Sequence, residues 1–170
     1  MQCVRCRGGF RVGLILLAGW CAAGSSPAAA PSPTLSPEER VPVLGDSITY
    51  AGQYVEYFEA FLRLRYPRWH GELLNLGLPS ETVSGLSEEG HAAGQFPRPH
   101  LQERLERVLS QTKPTLVIAC YGMNDGIYLP LEESRFAAFR SGIQRLREQV
   151  TAAGARILHL TPPTFDPQNG

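Results

Sequence analysis

The spacing of apolar and polar positions changes several times along the chain, and each change predicts a new element. Val41 to Leu44 is a short apolar run and predicts a first strand, with Pro42 tolerable because it stands among the strand's first residues. From Thr49 to Arg65 the period lengthens. Tyr54, Val55, Phe58, Phe61 and Leu62 recur at spacings of three and four, so they share one helical face, read here as core; Pro67 stops the helix. Leu73 to Leu76 predicts the second strand. Residues 83–99 carry Gly, Ser and Pro and read as a loop or a short helical turn. Beyond Arg98-Pro99-His100, a helix places Leu101, Leu105, Val108 and Leu109 on one side. Thr115 to Tyr121, behind Pro114, is rich in β-branched and apolar residues and predicts the third strand. A long helix from about Glu132 to Ala153, closed by Gly154, leads to a fourth strand at Arg156 to Leu160.

Strands alternating with helices predict an α/β domain in layers around a parallel sheet. Polar residues then stand just after three strands: Ser47 after the first, Ser80 after the second and Asn124 after the third. Ligands of open parallel sheets bind outside the carboxyl ends of the strands, at a switch in strand order. Topology therefore predicts that the three converge.

Gly45-Asp46-Ser47 puts a serine on a strand-to-helix turn, where unpaired N–H groups and the helix dipole favour developing negative charge. Gly45 permits a tight turn and close approach to the backbone. Asp46 and Ser47 are also common helix caps, so the triplet alone reads equally as a cap. Asn124-Asp125-Gly126 alone reads as a turn.

Together, Gly45-Asp46-Ser47-Ile48-Thr49, Asn75-Leu76-Gly77 and Gly122-Met123-Asn124-Asp125 resemble the SGNH (GDSL) hydrolase family over roughly residues 40–165. The resemblance implies a flavodoxin-like three-layer α/β/α fold, with a sheet of order 2-1-3-4 here, and hydrolysis of acetyl or acyl esters of carbohydrates or lipids. It implies that Ser47 is the nucleophile and that the oxyanion is met by the Ser47 N–H, a second N–H after the second strand, and the Asn124 side chain. Ser80 is the favoured second donor, which makes Gly77 a turn residue; the Gly77 N–H is the alternative donor. Asp46 is expected to bond nearby backbone, and Gly122 to leave room for Asn124 to turn inward.

The family completes its machinery with an Asp-x-x-His segment after a fifth strand. The aspartates here are Asp46, Asp125 and Asp166, and none has a histidine three residues on. His159 falls inside the fourth strand; His70, His91 and His100 have no acid partner in an expected place. The expectation is a fragment of a longer esterase, with little activity by itself because an unassisted serine is a poor nucleophile. A non-catalytic module binding glycans or envelope partners is the alternative. A nucleotide- or flavin-binding role ranks last, since no phosphate-cradling glycine loop is present.

Composition changes the picture mainly at the start. Arg5, Arg7 and Arg11 precede an apolar run from Val12 to Ala18, and small residues follow to Ala30. This predicts a signal peptide over 1–30, a Pro/Ser-rich linker over 31–39 and the esterase domain over 40–170, with secretion or an envelope location. Cys21 hints at a lipoprotein site, against which the bulky Trp20 argues. Three of the four cysteines lie in the leader, leaving Cys120 alone, so no intrachain disulfide is expected. The formal net charge of zero gives no electrostatic case for nucleic acid. The expected partner is a small-molecule or glycan ester, with no integral membrane span after leader cleavage, and no metal or cofactor.

Overall fold

The computed structural model describes residues 35–163. The expected leader, with Cys21, and Asp166 lie outside the described residues. Residues 35–39, expected as linker, are tied down. Leu35 packs against the core, the His70 N–H donates to the Pro37 carbonyl at 2.7 Å, and Glu39 is buried among the Ser36 N–H, the Thr115 hydroxyl and Arg156.

Four parallel strands form one sheet: β1 (Arg40–Gly45), β2 (Glu72–Gly77), β3 (Leu116–Cys120) and β4 (Arg156–Leu160), in the order β2-β1-β3-β4. The chain moves to one side of β1 for β2 and to the other for β3. The ends of β1 and β3 therefore flank the switch point, with Gly45 opposite Cys120 in the register.

The pleat sorts the apolar side chains into two cores. Val41, Val43, Leu116 and Ile118 face α2 (Gln53–Arg65), against Val55 with Tyr54 and Phe58. Leu44, Val117, Ala119 and Tyr121 face the other way, onto α3 (Leu105–Thr112) and α4 (Glu133–Ala152). Strands buried on both faces are what a parallel sheet demands.

Two helical expectations need correction. The helix expected over Thr49–Arg65 is two helices, α1 (Ser47–Ala51) and α2, because Gly52 adopts φ 85 between them and its N–H closes α1 on the Thr49 carbonyl at 3.0 Å. Phe61 does not join the buried face. It is 52% exposed and sits edge-on to Tyr66, since Leu62 points inward and neighbouring helical positions differ by about 100°. The helix expected from Leu101 also divides, into a short 3-10 turn at Leu101–Glu103 and then α3, with Leu101, Leu105 and Val108 buried as expected.

Gly154 ends α4 at φ 82. Its N–H meets the Thr151 carbonyl at 3.0 Å and the Ala155 N–H meets the Val150 carbonyl at 3.1 Å, which turns the chain directly into β4. Among the described residues β4 is one of the two edge strands, with β2 at the other edge. A groove of about 1090 Å³ runs between β4 and α4, lined in part by Phe139, Ile143, His159 and Pro162 and by none of the candidate site residues.

Candidate active site

Ser47 is exposed and is the first residue of α1. Asp46 caps that helix: its Oδ1 accepts the Ile48 N–H at 3.0 Å, and its side chain is buried. Burial raises the Asp46 carboxyl above its ordinary range, and the nearby Asp125 charge adds to the effect. A Cβ on Gly45 would lie 2.0 Å from Thr49 Oγ1 and 2.8 Å from the Cys120 carbonyl oxygen, so only glycine lets α1 fold back onto the strand end. With five residues, α1 supplies a far smaller dipole than the long helix expected from the sequence.

Gly77 ends β2, and the loop after it carries Ser80. Asn75 clamps α1 to β2: its Nδ2 donates to the Thr49 carbonyl at 2.8 Å and its Oδ1 accepts the Gly77 N–H at 3.0 Å. The Gly77 N–H is therefore engaged. A Cβ there would lie 2.2 Å from the Tyr50 nitrogen, so Gly77 serves close packing at a strand end and is not a left-handed turn residue. Ser80 has φ 66, a left-handed conformation that favours glycine. Its N–H has no hydrogen-bond partner among the described residues, while the next N–H, of Glu81, bonds back to the Leu78 carbonyl at 3.2 Å.

After β3, Asn124 is 3% exposed and fully bonded on its oxygen. Arg98 Nη1 donates to Asn124 Oδ1 at 3.0 Å and the Tyr128 hydroxyl does so at 3.3 Å, while Asn124 Nδ2 donates to the Glu81 carbonyl at 3.3 Å. That last bond sets the carboxamide beside the residue following Ser80. Gly122 stands at φ 131, and a Cβ there would meet Pro162 at 3.1 Å. Its need for glycine comes from backbone conformation and Pro162, not from clearance for Asn124. Asp125 is buried, and its carboxyl is raised by that burial.

Two charged clusters behind these loops escaped the sequence reading. Glu81, fully buried, takes a two-point bond from Arg104 at 2.6 and 2.7 Å and a 2.5 Å bond from the Tyr121 hydroxyl; Arg104 also donates to the Leu76 carbonyl at 2.8 Å. Burial and the Glu81 carboxylate push the Tyr121 hydroxyl well above its usual range. Burial works against the Arg104 charge, but Glu81 outweighs it and the Arg104 pKa rises. In the second cluster, Arg98 grips Glu88 through Nε and Nη2, both at 2.6 Å. His91 Nδ1 lies 3.3 Å from Glu88 Oε1, a local carboxylate contact outside any Asp-x-x-His segment. The one local hint was an arginine between two prolines, at Pro97-Arg98-Pro99.

The other histidines behave as packing or surface residues. His159 is exposed on β4, its pKa lowered by partial burial and by Arg147; His100 packs against Gly85. Among the described residues no group of three His, Cys, Asp or Glu side chains could hold a metal ion, and no helix is long and apolar enough to cross a membrane.

The arrangement is that of a parallel α/β protein with an exposed serine and a buried carboxamide at adjacent strand ends. The sequence profile of the GDSL-like Lipase/Acylhydrolase family matches residues 43–170, and the chain belongs to that family. Among solved structures, an acetylxylan esterase from Geobacillus stearothermophilus, Axe2, is 21% identical, with TM-score 0.54 over 71% of this chain and 58% of that one. LAE5, an alpha/beta hydrolase enzyme from the metagenome of Lake Arreo, Spain, is 23% identical, with TM-score 0.57 over 77% of this chain and 63% of that one. This chain thus spans about three fifths of the length of each. No curated protein matches it.

Proposed function

We propose that this chain carries the nucleophile and oxyanion-binding half of a serine esterase. The observation that carries the reading is the 3.3 Å bond from Asn124 Nδ2 to the Glu81 carbonyl, which ties the carboxamide donor to the loop that carries Ser80. In the reaction, Ser47 Oγ attacks the acyl carbonyl. The tetrahedral oxyanion is met by the N–H groups of Ser47 and Ser80 and by the second proton of Asn124 Nδ2. The alcohol leaves, and water releases the acyl group from Ser47. Donors of this kind are worth roughly 3 kcal/mol each in the transition state. Asn124 donates without adding a titratable charge.

The substrates are small-molecule, carbohydrate or lipid esters, a reading supported by the family and by the acetylxylan esterase among the neighbours. The arginine-led apolar leader supports export or an envelope location. The 170 residues contain no Asp-x-x-His, so Ser47 lacks the family's base and turnover by the chain itself is slow.

Hydrolysis of p-nitrophenyl acetate, with and without imidazole as an external base, tests this reading. The esterase reading expects imidazole-dependent turnover that is lost in Ser47→Ala. Turnover that survives Ser47→Ala, or none under either condition, overturns it.

A further inference from the structure

Asn124 can serve an oxyanion only if Nδ2, and not Oδ1, faces the acyl oxygen. A carboxamide is nearly symmetrical in shape, so its orientation is set by its partners. Here one partner is a buried cation. Arg98 is 6% exposed, and its fork on Glu88 uses Nε and Nη2, which leaves Nη1 to donate to Asn124 Oδ1 at 3.0 Å. A guanidinium has no acceptor. Turning the amide over would set two donors against each other in a buried site and cost the full penalty of an unmade bond.

Arg98 is itself held on four sides. Pro97 and Pro99 restrict the backbone around it, and its own N–H donates to Ser87 Oγ at 3.0 Å. Its guanidinium carbon lies 5.5 Å from the centre of the Tyr128 ring, whose hydroxyl is the second donor to Asn124 Oδ1. Hydrogen bonds in such a chain polarise one another, so a cation on Oδ1 makes the Nδ2 protons better donors.

We propose that Arg98 is a positioning residue for ester hydrolysis: through Oδ1 it fixes the Asn124 carboxamide so that Nδ2 keeps one proton on the Glu81 carbonyl and offers the other to the oxyanion. This rests on the esterase reading above. A purely structural staple would use the same Arg98–Glu88 pair to fasten residues 84–99, but it would not act through Asn124.

The test uses the 170-residue chain and two readouts. The first is the NMR signal pair of the Asn124 side-chain amide, identified by its loss in Asn124→Ala. Arg98→Lys keeps a cation without the fork, and is expected to move this pair and to speed its exchange with water about tenfold. The second is imidazole-supported hydrolysis of p-nitrophenyl acetate. There Arg98→Lys is expected to lower kcat about tenfold with KM within about twofold, and to add no further loss in the Asn124→Ala background. An amide pair that stays in place, or equal losses in both backgrounds, overturns the proposal. If Arg98→Lys does not fold, Glu88→Gln frees the fork while leaving Arg98 in place, and the same amide shift is required of it. If the amide responds as expected but no ester is cleaved, the esterase reading fails while the hold of Arg98 on Asn124 stands.

Discussion

Asp125 Oδ1 accepts the Ser84 N–H at 2.8 Å and the Val83 N–H at 3.0 Å, so a single carboxylate oxygen ties the loop after β3 to the chain beyond β2. Oδ2 of the same group is buried without a partner among the described residues. The two oxygens therefore differ in what their loss would do. Asp125→Ala strands two N–H groups, one on the fully buried Val83, and is expected to cost about 2–5 kcal/mol in urea denaturation. Asp125→Asn keeps the accepting oxygen and should recover most of that. A loss below about 0.5 kcal/mol in the alanine variant would show that the two loops hold together without the tie.

Ser80 separates a backbone role from a side-chain one. Its φ of 66 costs an L-residue roughly 1–2 kcal/mol, and glycine removes that cost while loosening the unfolded chain. Ser80→Gly is expected to be as stable as the parent or up to about 1 kcal/mol more stable, with kcat unchanged, because the N–H is retained. A tenfold fall in kcat, in the imidazole-supported assay, would point to the hydroxyl instead.

Gly142 lies inside α4, where helix propensity alone favours alanine by about 1 kcal/mol. A Cβ at this position would stand 2.3 Å from the Val83 carbonyl oxygen. Moving α4 off that backbone costs typically 1–3 kcal/mol, so the clash outweighs the propensity. Gly142→Ala is expected to destabilise the domain and to disturb the loop that carries Ser80. Thermal unfolding above the parent's Tm would contradict this.

Glu88 gives the site an acid limit. The two-point bond from Arg98 holds its carboxyl at about 2, below the ordinary 4.5. A depressed carboxyl pKa contributes stability that is complete above the unfolded value and is lost as pH falls through the folded one. The tie between residues 84–99 and Arg98 should thus persist below pH 4.5 and loosen toward pH 2. A carbon NMR titration of the Glu88 carboxyl should find this midpoint, and Arg98→Met should return it toward 4.5.

Much of this protein was legible one segment at a time. The strand at Arg156–Leu160, the long helix before it and the buried face of α3 follow from period and from stop signals such as Gly154. Ser47, Ser80 and Asn124 were legible because each follows directly on an apolar run. The break at Gly52 was not, since a glycine at the end of one helical turn reads equally well as a tolerated interior residue.

The sequence by itself determined the order of elements, the parallel α/β class and the three strand-end residues, because hydrophobic period and turn chemistry act between near neighbours. Only the tertiary structure decided how those residues are held. Arg98 meets Asn124 across 26 positions, Glu81 meets Asn124 across 43, and Asp125 meets Ser84 across 41. Pairings at such separations depend on where two loops emerge from the sheet, and a lone arginine or glutamate carries no local mark of the partner it will find.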